Sequence, residues 1–204
     1  AFERACRIVE LPLAFSEGFS PHPKMSFGLA LSTGHESHAE YLDVDLVRPV
    51  DLEALPDLLS GALPEGMQVT AATLLADRAR ALQESVTTTA WRVAIRRDDD
   101  LAVDRAALGA GIEAVLGATT VEVRKRRKGR EGMEDIRPLI RTIALLDEHV
   151  SREVLHEVDG EWVVALVEDP VVVMELAVQP KSVKPSDIVA AISACRPDPG
   201  PLVE

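Results

Sequence analysis

His22 and Lys24 flank Pro23 in a short stretch that also holds Phe15 and Phe19, with Tyr41 soon after, in a chain whose aromatic content is only 3%. Histidine titrates near neutral pH and can carry a proton, while lysine offers a compact positive charge to a phosphate. Pro21 and Pro23 hold Ser20 and His22 extended. Gly18 and Gly28 allow backbone angles or close approaches that other residues resist. A stiff loop that shows His22 and Lys24 to solvent ahead of a strand is built like a ligand-contacting loop. The competing structural explanation is a rigid connector whose prolines only set its path. A histidine with no evident partner is more often a binding or structural group than a catalyst. The expected roles of Phe15, Phe19, His22, Lys24 and Tyr41 are therefore in binding, with no catalytic residue assigned.

A second concentration of chemistry lies at Arg124, Lys125, Arg126, Arg127, Lys128 and Arg130. The whole chain carries 22 basic and 34 acidic residues, a net charge of −12. Without those six, 16 basic residues face 34 acidic ones, so the cluster is a local exception within an acidic protein. A loop this basic suits contact with a phosphate backbone, although such runs are commonly just solvated. The acidic remainder repels the same polymer and argues against a wholly basic nucleic-acid binder.

Other patterns carry less. His35 and His38 with Glu36, Glu40, Asp43 and Asp45 make a loose metal-like set, but strand alternation separates Glu40 from Asp43, and no metal is assigned. Asp43 and Asp45 share a face with Tyr41. Lys181 and Lys184 flank a helix start, a weak phosphate signal. There is no glycine-rich phosphate loop with its lysine, no dinucleotide fingerprint and no nucleophile elbow. No cofactor is expected.

These groups must be positioned by a mixed scaffold. A hydrophobic fraction of 47% is enough for a core, and the scarcity of aromatics makes that core aliphatic. No run of 18 apolar residues exists. Cys6 and Cys195 are expected as buried free thiols in a cytoplasmic protein. Helical spacing over residues 2–10, alternation over 25–31 and 40–46, a leucine stripe after Asp51 and a strand over 67–75 give helix, strand, strand, helix, strand. Asp51 is the expected cap of the second helix. The chain opens at Ala1 as if inside a helix already begun, so a preceding strand is expected to be missing. With it restored, the plan is the β-α-β-β-α-β of a ferredoxin-like unit, whose uncovered sheet face is free to bind.

Residues 77–90 read as a linker between domains at 1–76 and 91–204. In the second, Trp91, Val93 and Ile95 mark a strand, and Asp98–Asp100 a turn. Asp104 caps a helix in which Gly109 and Gly111 permit close packing on the sheet. A strand over 119–125, a loop over 126–134 and a returning strand over 142–146 follow. Residues 147–161 read as a polar insertion, ahead of strands at 162–167 and 171–178 and a helix from Pro185. The tail from Arg196 to Pro201 ends it, with the last strand weak or lost. The expected fold class is α+β, two tandem ferredoxin-like domains, the first lacking its N-terminal strand.

The motif Phe15-Ser-Glu-Gly-Phe-Ser-Pro-His-Pro-Lys-Met-Ser-Phe-Gly28, preceded by Leu11-Pro12 and followed by Glu36-Ser-His-Ala-Glu-Tyr-Leu-Asp43, resembles the signature of the radical-SAM-linked protein family, a domain of unknown function. Asp135-Ile-Arg-Pro-Leu-Ile140 is a weaker second match. The resemblance implies a partner: members are fused to, or encoded beside, radical S-adenosylmethionine enzymes. Such an enzyme needs three closely spaced cysteines to hold its iron–sulfur cluster. With two cysteines far apart, this chain cannot be that catalyst, and any radical chemistry belongs to the partner.

Three functions follow as expectations. The first is a non-catalytic accessory domain that binds a substrate, structured RNA, for the radical enzyme. The second is an RNA-processing endonuclease using His22. The third is a docking module whose acidic face binds the radical enzyme. No membrane role is expected.

Overall fold

The computed structural model of the chain describes residues 1–29, 31, 33–76, 79–127, 129–158, 161–197 and 201–204; the side chains at 126, 127, 130, 156–158 and 162 are outside that description. The chain divides into two compact units, Ala1–Val86 and Thr87–Glu204. Both mix helices with antiparallel strands, so the architecture is α+β.

In the first unit, helix α1 (Phe2–Ile8) turns Ala5 and Cys6 inward. They meet Leu59 and Leu63 from the region of α2 (Leu55–Ala62), together with Leu13, Met25, Val44 and Leu46. Pro56 stands in the first turn of α2, and Ala54 rather than Asp51 is its cap. Proline suits a first turn, where its missing N–H has no intrahelical partner to lose. The Asp51 carboxylate instead accepts from the N–H of Glu53 at 3.0 Å, closing the turn before the helix.

Strands β1 (Met25–Phe27) and β2 (Leu42–Val44) pair antiparallel, with Met25 opposite Val44, Ser26 opposite Asp43 and Phe27 opposite Leu42. Both are shorter than the alternation predicts, although the Gly28 N–H still donates to the Tyr41 carbonyl at 3.0 Å. Residues 67–75 form no strand. The Ser60 hydroxyl on α2 accepts from the Val69 N–H at 2.9 Å and donates to the Val69 carbonyl at 3.3 Å, so a side chain takes both main-chain groups that a ladder would have used. The first unit therefore departs from the expected β-α-β-β-α-β plan. A short helix α3 (Leu82–Ser85) brings Leu82 over Gly28, where an added Cβ would lie 3.0 Å from the Leu82 Cγ.

In the second unit, β3 (Thr88–Ala94) and β7 (Ile140–Val158) flank β8 (Glu161–Ala177), all antiparallel. Past Ile95, β4 (Arg96–Arg97) pairs with the short β9 (Leu202–Val203). Helix α4 (Arg105–Gly117) is capped by Asp104, whose carboxylate accepts from the N–H groups of Ala106 and Ala107. It packs on α5 (Pro185–Cys195). An added Cβ at Gly111 would lie 2.9 Å from the Ile192 carbonyl oxygen, so this glycine serves the contact with α5, not with the sheet. The core beneath is aliphatic: Ile95, Leu108, Ile112, Val172, Leu176, Ile188 and Ile192 are among its members. Of the cysteines, Cys6 is buried, whereas Cys195 is exposed; neither is in a disulfide.

Two stretches are more regular than their composition suggests. Residues expected as a loop at 126–134 lie largely in a hairpin of β5 (Glu122–Arg127) and β6 (Arg130–Asp135). Of the polar stretch 147–161, expected as an insertion, residues 147–158 continue β7 and Glu161 opens β8, while 159 and 160 lie outside the described residues. Cross-strand hydrogen bonding needs only main-chain groups, so polar side chains with one wet face do not oppose it. A 3₁₀ turn (Arg137–Leu139) separates β6 from β7.

Candidate functional site: an open polar sheet face

Residues 12–16, expected as part of a loop, enter the sheet where β1 and β2 separate. Leu13 bridges to Leu46 and Phe15 to Pro23. At the centre, the Ala14 N–H donates to the Asp45 carbonyl (2.8 Å), the Asp45 N–H to the Lys24 carbonyl (3.0 Å) and the Lys24 N–H to the Ala14 carbonyl (2.8 Å). The three residues thus close a ring of main-chain hydrogen bonds. One step outward, the Ser16 N–H donates to the His22 carbonyl (2.9 Å), and the His22 N–H donates to the Ser16 hydroxyl (3.0 Å). Gly18, with φ of 127°, sits in the tight return between them, a backbone angle that side chains disfavour.

Alternation along the strands then sorts the side chains. Met25, Val44 and Leu46 face the helices, while Lys24, Ser26, Asp43 and Asp45 face away. With Ser16 and His22 they line a concavity of about 340 Å³. Tyr41, two residues before Asp43 and just ahead of β2, is 60% exposed. Phe15 is 53% exposed and Phe19 fully so, at the end of the 16–22 return. Among the described residues, no ion pair joins Lys24 to Asp43 or Asp45. Chemically the face offers one lysine, one imidazole, two carboxylates and two hydroxyls, bordered by aromatic rings. Spacing in the sequence pointed to His22 and Lys24 but not to Ser16 or Ser26. The alternation that put Asp43 and Asp45 on one face was the available signal; their pairing with β1 was not legible without the register.

The basic cluster occupies the β5–β6 hairpin. Arg124 stands opposite Met133, Arg126 opposite Glu131 and Arg127 opposite Arg130. Arg124 is exposed, with the Glu131 carboxylate 3.9 Å away. Lys125 is largely covered and its ammonium pairs with the Asp187 carboxylate. The same carboxylate accepts the Lys184 N–H at 2.9 Å, so the start of α5 already has an anionic partner. Lys181 pairs with Glu134 at 2.9 Å. Lys128, and the side chains of Arg126, Arg127 and Arg130, lie outside the described residues.

Among the described residues no group of three or more histidine, cysteine, aspartate or glutamate side chains is arranged to hold a metal ion. The Ser37 hydroxyl donates to Glu40 at 2.8 Å, and the His35 Nδ1 lies 3.4 Å from the Thr33 carbonyl oxygen. No helix among the described residues is long and apolar enough to cross a membrane.

A family model described as an uncharacterized protein conserved in bacteria, DUF2344, matches residues 1–167. The chain belongs to the DUF2344 family. No curated protein and no solved structure matches it significantly. The DUF2344 match takes in the whole first unit and the β5–β6 hairpin, hence both concentrations of candidate site residues. Membership accords with the resemblance of the 15–28 and 36–43 motifs to the radical-SAM-linked proteins.

Proposed function

We propose that this DUF2344 protein is a non-catalytic accessory domain of the cytoplasm that binds RNA as the substrate of a radical S-adenosylmethionine enzyme, on a fused or separate chain. The observation that carries this is the uncovered sheet face of the first unit. Unpaired nucleotides are bound by stacking on exposed rings and by hydrogen bonds to base edges. Phe15, Phe19 and Tyr41 supply rings. Asp43 and Asp45 can accept from exocyclic amines, and Lys24 and His22 can meet a phosphate or a carbonyl. In the second unit, Arg124 and the sequence neighbours Arg126, Arg127, Lys128 and Arg130 supply a phosphate grip, with Lys125 partly committed to Asp187.

The second unit also supports a ferredoxin-like assignment. β3, β8 and β7 form one sheet, β4 follows β3 past Ile95 and pairs with β9 in a second, two helices lie between these strands in sequence, and the β5–β6 hairpin is an addition. The first unit supports only part of such a plan.

The test is fluorescence anisotropy with a labelled single-stranded RNA, at 50 and 200 mM salt. Binding that weakens with salt, and is lost on replacing the basic residues of 124–130 or Phe19 and Tyr41 by alanine, is the expected result. No binding at low salt, or binding indifferent to both sets of substitutions, would overturn the RNA reading. RNA breakage that disappears in His22→Ala would replace it with the endonuclease reading.

A further inference from the structure

The β7–β8 hairpin outruns the rest of its sheet. β3 pairs with β8 only over residues 171–177, so among the described residues the strand pairing of 161–169 is with β7 alone. A two-stranded ribbon by itself is marginally stable in water. Its two faces differ. On one, Val154 and Val167 are buried, and the Arg152 guanidinium grips the buried Asp169 while its other arm meets Asp100 at 2.6 Å. On the other, Leu155 stands directly opposite Val164, and Leu166 lies diagonally beside them opposite Glu153. These three aliphatic side chains are 63%, 56% and 74% exposed.

The charge around them selects what could cover them. Residues 147–170 contain eight carboxylates and one arginine, and that arginine is turned to the other face. Glu153 and Glu168 border the apolar trio, and Glu168 pairs with His149 at 3.1 Å. Nucleic acid and anionic lipid are repelled by such a surface. A complementary protein surface would have an aliphatic centre rimmed by lysine and arginine.

We propose that this ribbon face, centred on Leu155, Val164 and Leu166, is a docking site for a partner protein whose contact surface is apolar with a basic rim. Taking that partner as the radical enzyme rests on the functional reading above. The site is distinct from the sheet face and the basic hairpin assigned there to substrate.

The experiment is calorimetric titration of the full chain with the purified radical S-adenosylmethionine enzyme. It compares the wild type with Leu155→Glu/Leu166→Glu and with Glu153→Lys, with circular dichroism as the folding control. All three positions are exposed, so the variants should fold. The expected result is binding by the wild type, at least tenfold weaker in the double variant and weaker also in Glu153→Lys. Equal binding by all three overturns the docking site and leaves the accessory reading standing. No binding by the wild type overturns both, while RNA affinity stays a separate measurement. Sedimentation adds a further outcome: wild-type self-association abolished by the double substitution would assign the face to a second copy and overturn the heterologous partner.

Discussion

At single positions the clearest consequences are those of charge and solvation. The Arg97 guanidinium donates to both oxygens of Asp99, at 2.8 and 2.6 Å, and holds that carboxyl at about 2, against an ordinary value of 3.8. A carboxylate whose folded pKa is depressed adds stability above its unfolded pKa, and that contribution is lost as pH falls through the folded value. Asp99 should therefore titrate near pH 2 by NMR, and with Arg97→Ala the midpoint should rise toward 3.8. The thiols should separate as sharply. Burial pushes the Cys6 thiol up, while Cys195 is exposed on α5. Since the thiolate is the nucleophile, iodoacetamide should label Cys195 alone in the native protein and both residues in denaturant, read by mass spectrometry. Asp169 is 1% exposed, with Arg152 and Arg96 about it. Asp169→Ala should cost roughly 1–3 kcal/mol in urea denaturation, because Arg152 loses one of its two carboxylate partners and keeps only Asp100. Nothing in the sequence announced Asp169. An aspartate before a proline reads as a turn, and only the pairing of β7 with β8 brings Arg152 to it.

Elements were legible where periodicity and local chemistry agreed. Asp104 capped its helix as expected, because the cap acts within three residues and needs no distant partner. The contact made by Gly111 was not legible, since the partner, Ile192 on α5, lies far along the chain. Gly111→Ala forces the Ile192 carbonyl and side chain to move, and should destabilise the second unit by about 1–3 kcal/mol, measured by thermal or chemical unfolding. Gly109→Ala, with nothing within 4 Å, serves as the control and should be neutral or mildly stabilising. Strand lengths failed for a related reason. Alternation marks which faces can be wet or dry, but not whether a neighbouring strand exists to pair with. Residues 67–75 lost theirs to Ser60, whereas the polar 147–158 found theirs in β8. In the same way, pairing with residues 22–24 and 45–47 drew residues 12–16 from a presumed loop into the middle of the candidate site.

Across the whole molecule, charge is distributed against composition. Six basic residues fall within the seven positions 124–130, while the rest of the chain carries 16 basic against 34 acidic residues. If that cluster grips single-stranded RNA, the slope of log affinity against log salt should be no steeper than about −4, the value for six phosphate contacts on a single strand. It should fall toward zero when the basic residues of 124–130 are replaced by alanine. A slope unchanged by the replacement would move the phosphate contacts elsewhere. The resemblance to the radical-SAM-linked proteins was legible in the motif spanning residues 15–43, which is long and specific, and the DUF2344 match over residues 1–167 accords with it. The geometry behind the motif was not, because Lys24 and Asp45 become neighbours only through the main chain.

The ring of hydrogen bonds joining Ala14, Lys24 and Asp45 uses amides alone. Recognition and architecture are therefore uncoupled at this spot: what the side chains at 24 and 45 read can be rewritten without redrawing where they stand. Swapping their charges, Lys24→Asp with Asp45→Lys, should leave the melting temperature nearly unmoved while inverting ligand preference. Ala14→Pro, which deletes one amide hydrogen, should do the opposite, loosening the cleft with every recognition group still in place.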